Sequence, residues 1–349
     1  MTASCPADVD ADRLTEYLRG RVEGFERRAT VRRLQGGQSN PTYHVSAGGR
    51  EYVLRTKPAA AALLLPSAHQ IEREYRVIRA LATTEVPVPT AHLLCTNEEV
   101  IGRAFYVMDF VPGRVYLDPR LPGLSSAERS AIFEEMNRVI AALHRVDWQA
   151  LGLADYGKPG DYLARQIARW SRQYRASETE TIDAMDRLIE WLPGALPPDE
   201  GTALVHGDFR LDNLIFDAHT ARVTAVIDWE LSTLGSPLAD FAYHCCVWHF
   251  PAGLYRGLAG VACPEGIPSE ADYRDRYAER TGRAVLDHWD YYLAYNFFRM
   301  AAIMQGILKR AQDGTAAAAD AVEFGRGARR LAEAGWSRVE RMLRSGSGR

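Results

Sequence analysis

The run Leu204-Val205-His206-Gly207-Asp208-Phe209-Arg210-Leu211-Asp212-Asn213-Leu214-Ile215-Phe216, continued by Val223-Thr224-Ala225-Val226-Ile227-Asp228-Trp229-Glu230, decides the fold. Residues 204–206, 214–216 and 223–227 are short apolar runs that alternate with polar clusters, and they read as short buried strands. Asp208, Asn213 and Asp228 then fall at strand ends, where side chains are held more rigidly than on a free loop. Two carboxylates and an amide delivered to one place suit a hard cation with oxygen ligands, plus one base beside it.

The rest of the chain bounds what that constellation can serve. Of 349 residues, 47% are hydrophobic and 25% charged, enough for a sizeable core and for two domains or one bilobal enzyme. The net charge of -3 leaves no basic excess to neutralise a phosphate backbone, so no nucleic-acid partner is expected. No apolar run approaches the roughly 18 residues of a membrane span, so no membrane partner is expected either. The first residues are acidic and show no signal-peptide pattern, and the five cysteines lack framework spacing. Both point to a reducing cytoplasm.

Working back from the central stretch, residues 9–21 have helical spacing, and residues 29–34, 42–46 and 51–55 read as strands. Between the first two strands lies the small-residue turn Gln35-Gly36-Gly37-Gln38-Ser39-Asn40, which can lay backbone N–H groups over phosphates. Arg55 and Lys57 share one side of the strand that follows, and either could neutralise a phosphate. Ser67-Ala68-His69-Gln70 has the form of a capping box opening a helix through residue 81, and a glutamate on that helix, Glu72 or Glu74, could hold the strand's cation. Strands over 91–96 and 104–111 complete an antiparallel sheet of about five. The last ends at Pro112-Gly113, a candidate linker, and the main-chain groups of Asp109, Phe110 and Val111 could bond a flat heterocycle. Ser125 with Glu128 is a further capping-box signal, and beyond it the chain reads as mainly helical, with residues 289–307 as a long buried helix and 315–343 as a final helix or pair.

His206-x-Asp208-x-x-x-x-Asn213 followed by Ile227-Asp228 resembles the catalytic and metal-binding segments of the protein-kinase-like superfamily. The form His-Gly-Asp with Ile-Asp-Trp-Glu is similar to its aminoglycoside phosphotransferase and choline kinase branch. Gly36-Gly37-Gln38-Ser39-Asn40-Pro41-Thr42, Leu65-Pro66-Ser67-Ala68-His69, Glu72-Arg73-Glu74-Tyr75 and Trp229-Glu230-Leu231-Ser232-Thr233-Leu234-Gly235 resemble one subfamily more narrowly. It comprises bacterial proteins assigned to the aminoglycoside phosphotransferases and the kinase-like domain fused to some acyl-CoA dehydrogenases.

The resemblance implies an α+β, bilobal protein-kinase-like fold. Residues 1–111 would form a nucleotide-binding lobe of antiparallel sheet plus helix, and 112–349 a mainly helical catalytic and acceptor-binding lobe. It implies an ATP-dependent phosphotransferase acting on a small-molecule hydroxyl, with a hydroxyacyl-CoA or related metabolite as the favoured acceptor. An aminoglycoside is the alternative acceptor, and a nucleotide-binding pseudokinase the alternative class. Asp208 would be the catalytic base, and Asn213 and Asp228 would hold Mg2+. Gly37, Gln38, Ser39 and Asn40 would cover the phosphates, Glu74 would position the cation, and Asp109, Phe110 and Val111 would carry adenine. His206 would brace the loop. The register Tyr52-Val53-Leu54-Arg55 puts arginine where the family usually has lysine, so either Arg55 or Lys57 is left to touch phosphate. The acceptor is expected between the catalytic loop and the helices after Asp228, especially residues 291–305. His244-Cys245-Cys246-Val247-Trp248-His249 mimics a zinc motif, but the expectation there is a buried helix.

Overall fold

The computed structural model describes residues 8–34, 40–58, 70–250, 257–314 and 321–346. Residues 35–39 of the predicted turn and 67–69 of the predicted capping box lie outside the described residues. Gln70 is described: it stands immediately before the helix that begins at Ile71 and makes no side-chain cap hydrogen bond, so it is not the third helical residue that a box opened by Ser67 requires. The chain divides into two compact units. The first takes Met1–Val115, Gln149–Leu153 and Asn213–Ser232; the second takes Tyr116–Trp148, Ala154–Asp212 and Thr233–Arg349.

The first unit is built on an antiparallel sheet of strands β1 (Thr30–Arg33), β2 (Thr42–Ala47), β3 (Arg50–Thr56), β4 (Ala91–Cys95) and β5 (Phe105–Asp109), in the order β1-β2-β3-β5-β4. Gly48 and Gly49, at φ of 58° and 81°, make the tight turn that sets Ala47 opposite Arg50. Period-two alternation then sorts the side chains. Tyr43, Val45, Leu54, Phe105 and Val107 join Leu14 and Leu18 of helix α1 (Ala11–Leu18) in one core. Tyr106, between Phe105 and Val107, faces the other way and meets helix α2 (Ile71–Leu81). Ile71, Val77, Ile78 and Leu81 are the buried apolar residues of α2.

The same unit holds a two-stranded ribbon, β7 (Leu214–Phe216) with β8 (Val223–Val226). The expected linker is bonded into it. Arg114 and Phe216 exchange two backbone hydrogen bonds, of 2.8 and 2.9 Å. A side chain at Gly113 would place its Cβ 2.3 Å from the Phe216 carbonyl oxygen, so only glycine allows this crossing.

The second unit is mainly helical, with the short strand pair β6 (Ala203–Val205) and β9 (Thr233–Gly235). Helix α3 (Ser126–His144) opens with the expected capping box of Ser125 and Glu128. Helices α4 (Tyr162–Ala176), α5 (Asp183–Trp191), α6 (Pro237–Cys245), α9 (Ala321–Gly325) and α10 (Ala328–Ser345) pack around α8 (Trp289–Gln312). Helix α7 (Glu270–Thr281) lies on α3. Ser236 caps α6 and Pro237 fills its first turn, so this helix starts sharply after β9. Among the described residues, no helix is long and apolar enough to cross a membrane.

Candidate active site

In the first unit the cation is Arg55. Burial opposes its charge, but Glu74, Tyr106, Asp228 and Glu230 outweigh that and raise its pKa. Its Nη2 lies 2.9 Å from Asp228 Oδ1 and 3.5 Å from Glu230 Oε2. Its Nε lies 2.9 Å from Glu74 Oε2, an ion pair by distance without the alignment of a hydrogen bond. Glu74 is 1% exposed and also accepts from Asn40 Nδ2 at 2.7 Å and the Tyr106 hydroxyl at 3.0 Å. Burial raises the Glu74 pKa, with Arg55 the largest opposing influence. Lys57, beyond the end of β3, pairs with Glu72 on α2. Of the two cations left open, Arg55 meets the helix glutamate and Asp228, while Lys57 does neither.

Asn213 and Asp228 come to the same end of the β7–β8 ribbon. Leu214 pairs with Val226, and the Ile227 N–H donates to the Asn213 carbonyl at 3.0 Å. Asp228 follows in the left-handed region, at φ 66°, a conformation that L-residues other than Asn, Asp and Gly rarely adopt. Among the described residues, no three His, Cys, Asp or Glu side chains converge as a metal cluster. One amide and one carboxylate oxygen nevertheless form a donor set suited to magnesium, which keeps several waters of its own.

The segment expected to bond a flat heterocycle, Asp109 to Val111, is only partly open. The Asp109 N–H donates to Thr90 O at 2.9 Å and the Phe110 N–H to Glu51 O at 3.1 Å, so the sheet uses both. The Asp109 carboxylate meets His92 Nε2 at 2.6 Å. Of the three amides, Val111 alone has no hydrogen-bond partner among the described residues. Pairing to the strands on either side of β5 is invisible to a pattern that only marks where β5 ends.

In the second unit, β6 leads directly into His206-Gly207-Asp208. Asp240 on α6 is buried and accepts from the N–H groups of His206 and Gly207, both at 2.9 Å, and from His144 Nε2 at 3.2 Å. Burial would raise its pKa, but the His144 contact and the loop amides outweigh this and lower it. His206 is buried, and its Nδ1 accepts the Asp208 N–H at 3.2 Å. The loop is therefore held by its backbone. The Asp208 carboxylate accepts from the Tyr243 hydroxyl and lies 3.3 Å from Arg210 Nε. Arg210 also donates to Asp212 at 2.9 Å.

A pocket adjoins these residues, lined mainly by Leu117, Phe133, Met136, Leu211, Val247 and Phe250, with Arg210 and Tyr243 at its polar side. Residues 291–305, expected to wall the acceptor, are instead almost wholly buried in α8. The helix is buried around most of its circumference, with Asn296, Arg299 and Gln305 among its buried residues, a condition that periodicity cannot distinguish from a binding wall. The zinc-like motif is the buried end of α6 and the turn that follows: burial drives the Cys245 and Cys246 thiols up, and His249 is engaged by Glu270 and Arg338.

Glu230, Tyr106, Tyr243 and Arg299 were not assigned from sequence. Glu230 had a signal, two residues after Asp228 in the quoted run. The others reach their partners across 32 or more positions and had none.

Comparison with known proteins agrees with this geometry. The chain is 53% identical to a protein from Ralstonia eutropha JMP134 assigned to the aminoglycoside phosphotransferases. That crystal structure superposes with a TM-score of 0.88 over 95% of this chain and 99% of the other. Choline kinase from Cryptosporidium parvum Iowa II, at 14% identity, shares the fold with a TM-score of 0.63 over 97% of each chain. Mouse acyl-CoA dehydrogenase family member 10 is 47% identical over 94% of this chain, which spans only 31% of that protein's length. The antiparallel sheet and the helical unit are thus those of the kinase-like α+β fold. The family model described as the phosphotransferase enzyme family matches residues 30–295, and the chain belongs to that family.

Proposed function

We propose that this chain transfers the γ-phosphoryl group of ATP to a hydroxyl of a small molecule. The observation that carries the proposal is Arg55, fixed by the buried Glu74 and reaching Asp228, with Asn213 at the same ribbon end. Phosphoryl transfer needs positioning and charge neutralisation more than covalent chemistry. Arg55 is the phosphate-facing cation. Asn213 and Asp228 hold magnesium, which when bound supplies neutralisation of the nucleotide phosphates. Asn40 braces Glu74, while Gly37, Gln38 and Ser39 cover the phosphates. The Val111 N–H is the adenine-binding donor. Asp208 orients the acceptor hydroxyl and takes its proton as the hydroxyl attacks, a form of help typically worth about 10²–10⁴ in rate. In functional terms, residues 1–111 are the nucleotide-binding lobe and 112–349 the catalytic and acceptor-binding lobe.

For the acceptor we favour a hydroxyacyl-CoA or related metabolite over an aminoglycoside. The pocket by Arg210 and Tyr243 is lined chiefly by apolar side chains, and among its described lining residues the one carboxylate, Asp212, is paired with Arg210. An apolar chain gains by burial there, about 25 cal/mol per Å², whereas a polyamine meets no unpaired carboxylate among those described residues. The similarity to an acyl-CoA dehydrogenase family member supports the same choice. The test is isotopic phosphate transfer from MgATP to a panel of hydroxyacyl-CoAs, aminoglycosides and choline, with Asp208→Asn alongside. Transfer to a hydroxyacyl-CoA, lost in the variant, is expected. Transfer to aminoglycosides alone overturns the acceptor class. No transfer above the variant's level leaves the pseudokinase as the better description.

A further inference from the structure

We propose that Tyr243, backed by Arg299, is a positioning residue that fixes the Asp208 carboxylate. The role rests on Asp208 being the base. Tyr243 is 5% exposed on α6 and its hydroxyl donates to Asp208 Oδ1. A phenol donating to a carboxylate makes a short, charge-assisted hydrogen bond, roughly twice as strong as a neutral one. Arg210 approaches the same oxygen at 3.3 Å, but its side chain is 34% exposed and shared with Asp212. Tyr243 is therefore the more rigid of the two partners.

Arg299 on α8 gives the arrangement its second half. Its guanidinium carbon lies 5.1 Å from the centroid of the Tyr243 ring and 5.9 Å from that of Trp170. Its Nη2 donates to the Gly207 carbonyl at 2.7 Å, one peptide before Asp208. The residue is 7% exposed, yet among the described residues no carboxylate pairs with it directly. A buried guanidinium without a direct counter-ion is costly unless other groups solvate it. Here the solvating groups are the Gly207 carbonyl and two aromatic faces. A cation against the face of a phenol draws electron density from the ring and makes its hydroxyl a stronger donor. The nearest beneficiary is Asp208.

The spacing is consistent with one device. Asp240 and Tyr243 stand three apart on α6, on one helical face, and hold respectively the backbone and the side chain of the His206–Asp208 turn. Asn296 and Arg299 stand three apart on α8. Asn296 donates to Ala239 O of α6 at 2.9 Å, and Arg299 reaches Tyr243 and Gly207. Two helices thus brace the loop through two pairs of side chains.

The test uses the full chain labelled with [4-13C]tyrosine. Loss of one resonance in Tyr243→Phe assigns Tyr243, and Asp208→Asn is then read at that resonance. In parallel, turnover of MgATP with water as acceptor is measured for the wild type, Tyr243→Phe, Arg299→Lys and Asp208→Asn. The expected result is a displaced Tyr243 resonance in Asp208→Asn, and a roughly tenfold lower kcat in Tyr243→Phe with KM for MgATP within twofold. Arg299→Lys, which retains the charge, should fall between Tyr243→Phe and the wild type. An unmoved resonance, or a wild-type kcat in Tyr243→Phe, overturns the proposal. A moved resonance with undiminished turnover in Asp208→Asn instead refutes the base assignment, and with it the positioning role, while leaving the hydrogen bond itself established.

Discussion

Replacing Arg55 by methionine should destabilise the protein far more than replacing Lys57 by alanine. Arg55 faces Glu74, whose side chain is 2% exposed, and removing one partner of a buried ion pair costs about 3–5 kcal/mol. Asn40 and Tyr106 remain as donors to Glu74, which places the expected loss near the lower end, about 3 kcal/mol. Glu74→Gln leaves Arg55 with Asp228 and Glu230, at 36% and 26% side-chain exposure, and should cost about 1.5 kcal/mol. In the double variant the buried charge and its partner leave together. The combined loss should be about 2.5 kcal/mol, a coupling of about 2 kcal/mol.

The assay is urea denaturation of the wild type and the four variants, Lys57→Ala included, near pH 7.5. A second arm at about pH 5 tests the sign of the proton linkage. Burial raises the Glu74 pKa in the folded state, so the folded chain binds a proton there more readily than the unfolded chain. Removing Arg55 strengthens that preference, so Arg55→Met should lose less stability at the lower pH. Lys57→Ala, which breaks a pair at 29% and 35% exposure, should change stability by less than about 1 kcal/mol. Additive losses in the double variant, to within about 0.5 kcal/mol, would refute the coupled pair.

Gly113→Ala should destabilise by about 2–3 kcal/mol, because its Cβ would sit 2.3 Å from the Phe216 carbonyl oxygen and 2.6 Å from Ile215 Cγ2; an unchanged denaturation midpoint would contradict that crossing. His244 is buried and its pKa is pushed down to about 4, against about 6.5 in an unfolded chain. Below pH 6.5 the unfolded chain takes up the proton first, so this residue alone should withdraw about 2 kcal/mol of stability between pH 7.5 and 5. His244→Gln should show a correspondingly shallower loss, measured by denaturation at the two pH values.

What was legible in the sequence, and what was not, divides along physical lines. The strands of the catalytic segment were readable because each is a short apolar run bounded by polar residues, and the α3 cap because its two members are three residues apart. Glu74 could be marked as a possible partner of the strand's cation, but choosing Arg55 over Lys57 required β3 and α2 to be placed against each other. The use of the Asp109 and Phe110 amides by Thr90 and Glu51 was hidden, because backbone pairing leaves no compositional trace. Tyr243 and Arg299 were hidden for another reason. On buried helices such as α6 and α8, a polar side chain that holds the His206–Asp208 loop carries no periodicity of its own. The expected acceptor wall at 291–305 is ambiguous for the same reason: a helix buried on most sides reads the same whether it lines a cleft or fills a core.

The crossing at Gly113 bears on how this protein can be divided for expression. The first compact unit gathers three separate stretches of chain, and the ribbon of residues 213–232 arrives from far downstream. A fragment ending at Val115 would lack the strand to which Arg114 bonds, the Val226 N–H that meets Pro87 O, and the Asp228 carboxylate beside Arg55. Such a piece would expose unpaired backbone and leave the Arg55 guanidinium with Glu74 as its sole counter-ion. A division that keeps all three stretches together is the sounder route to an isolated first unit.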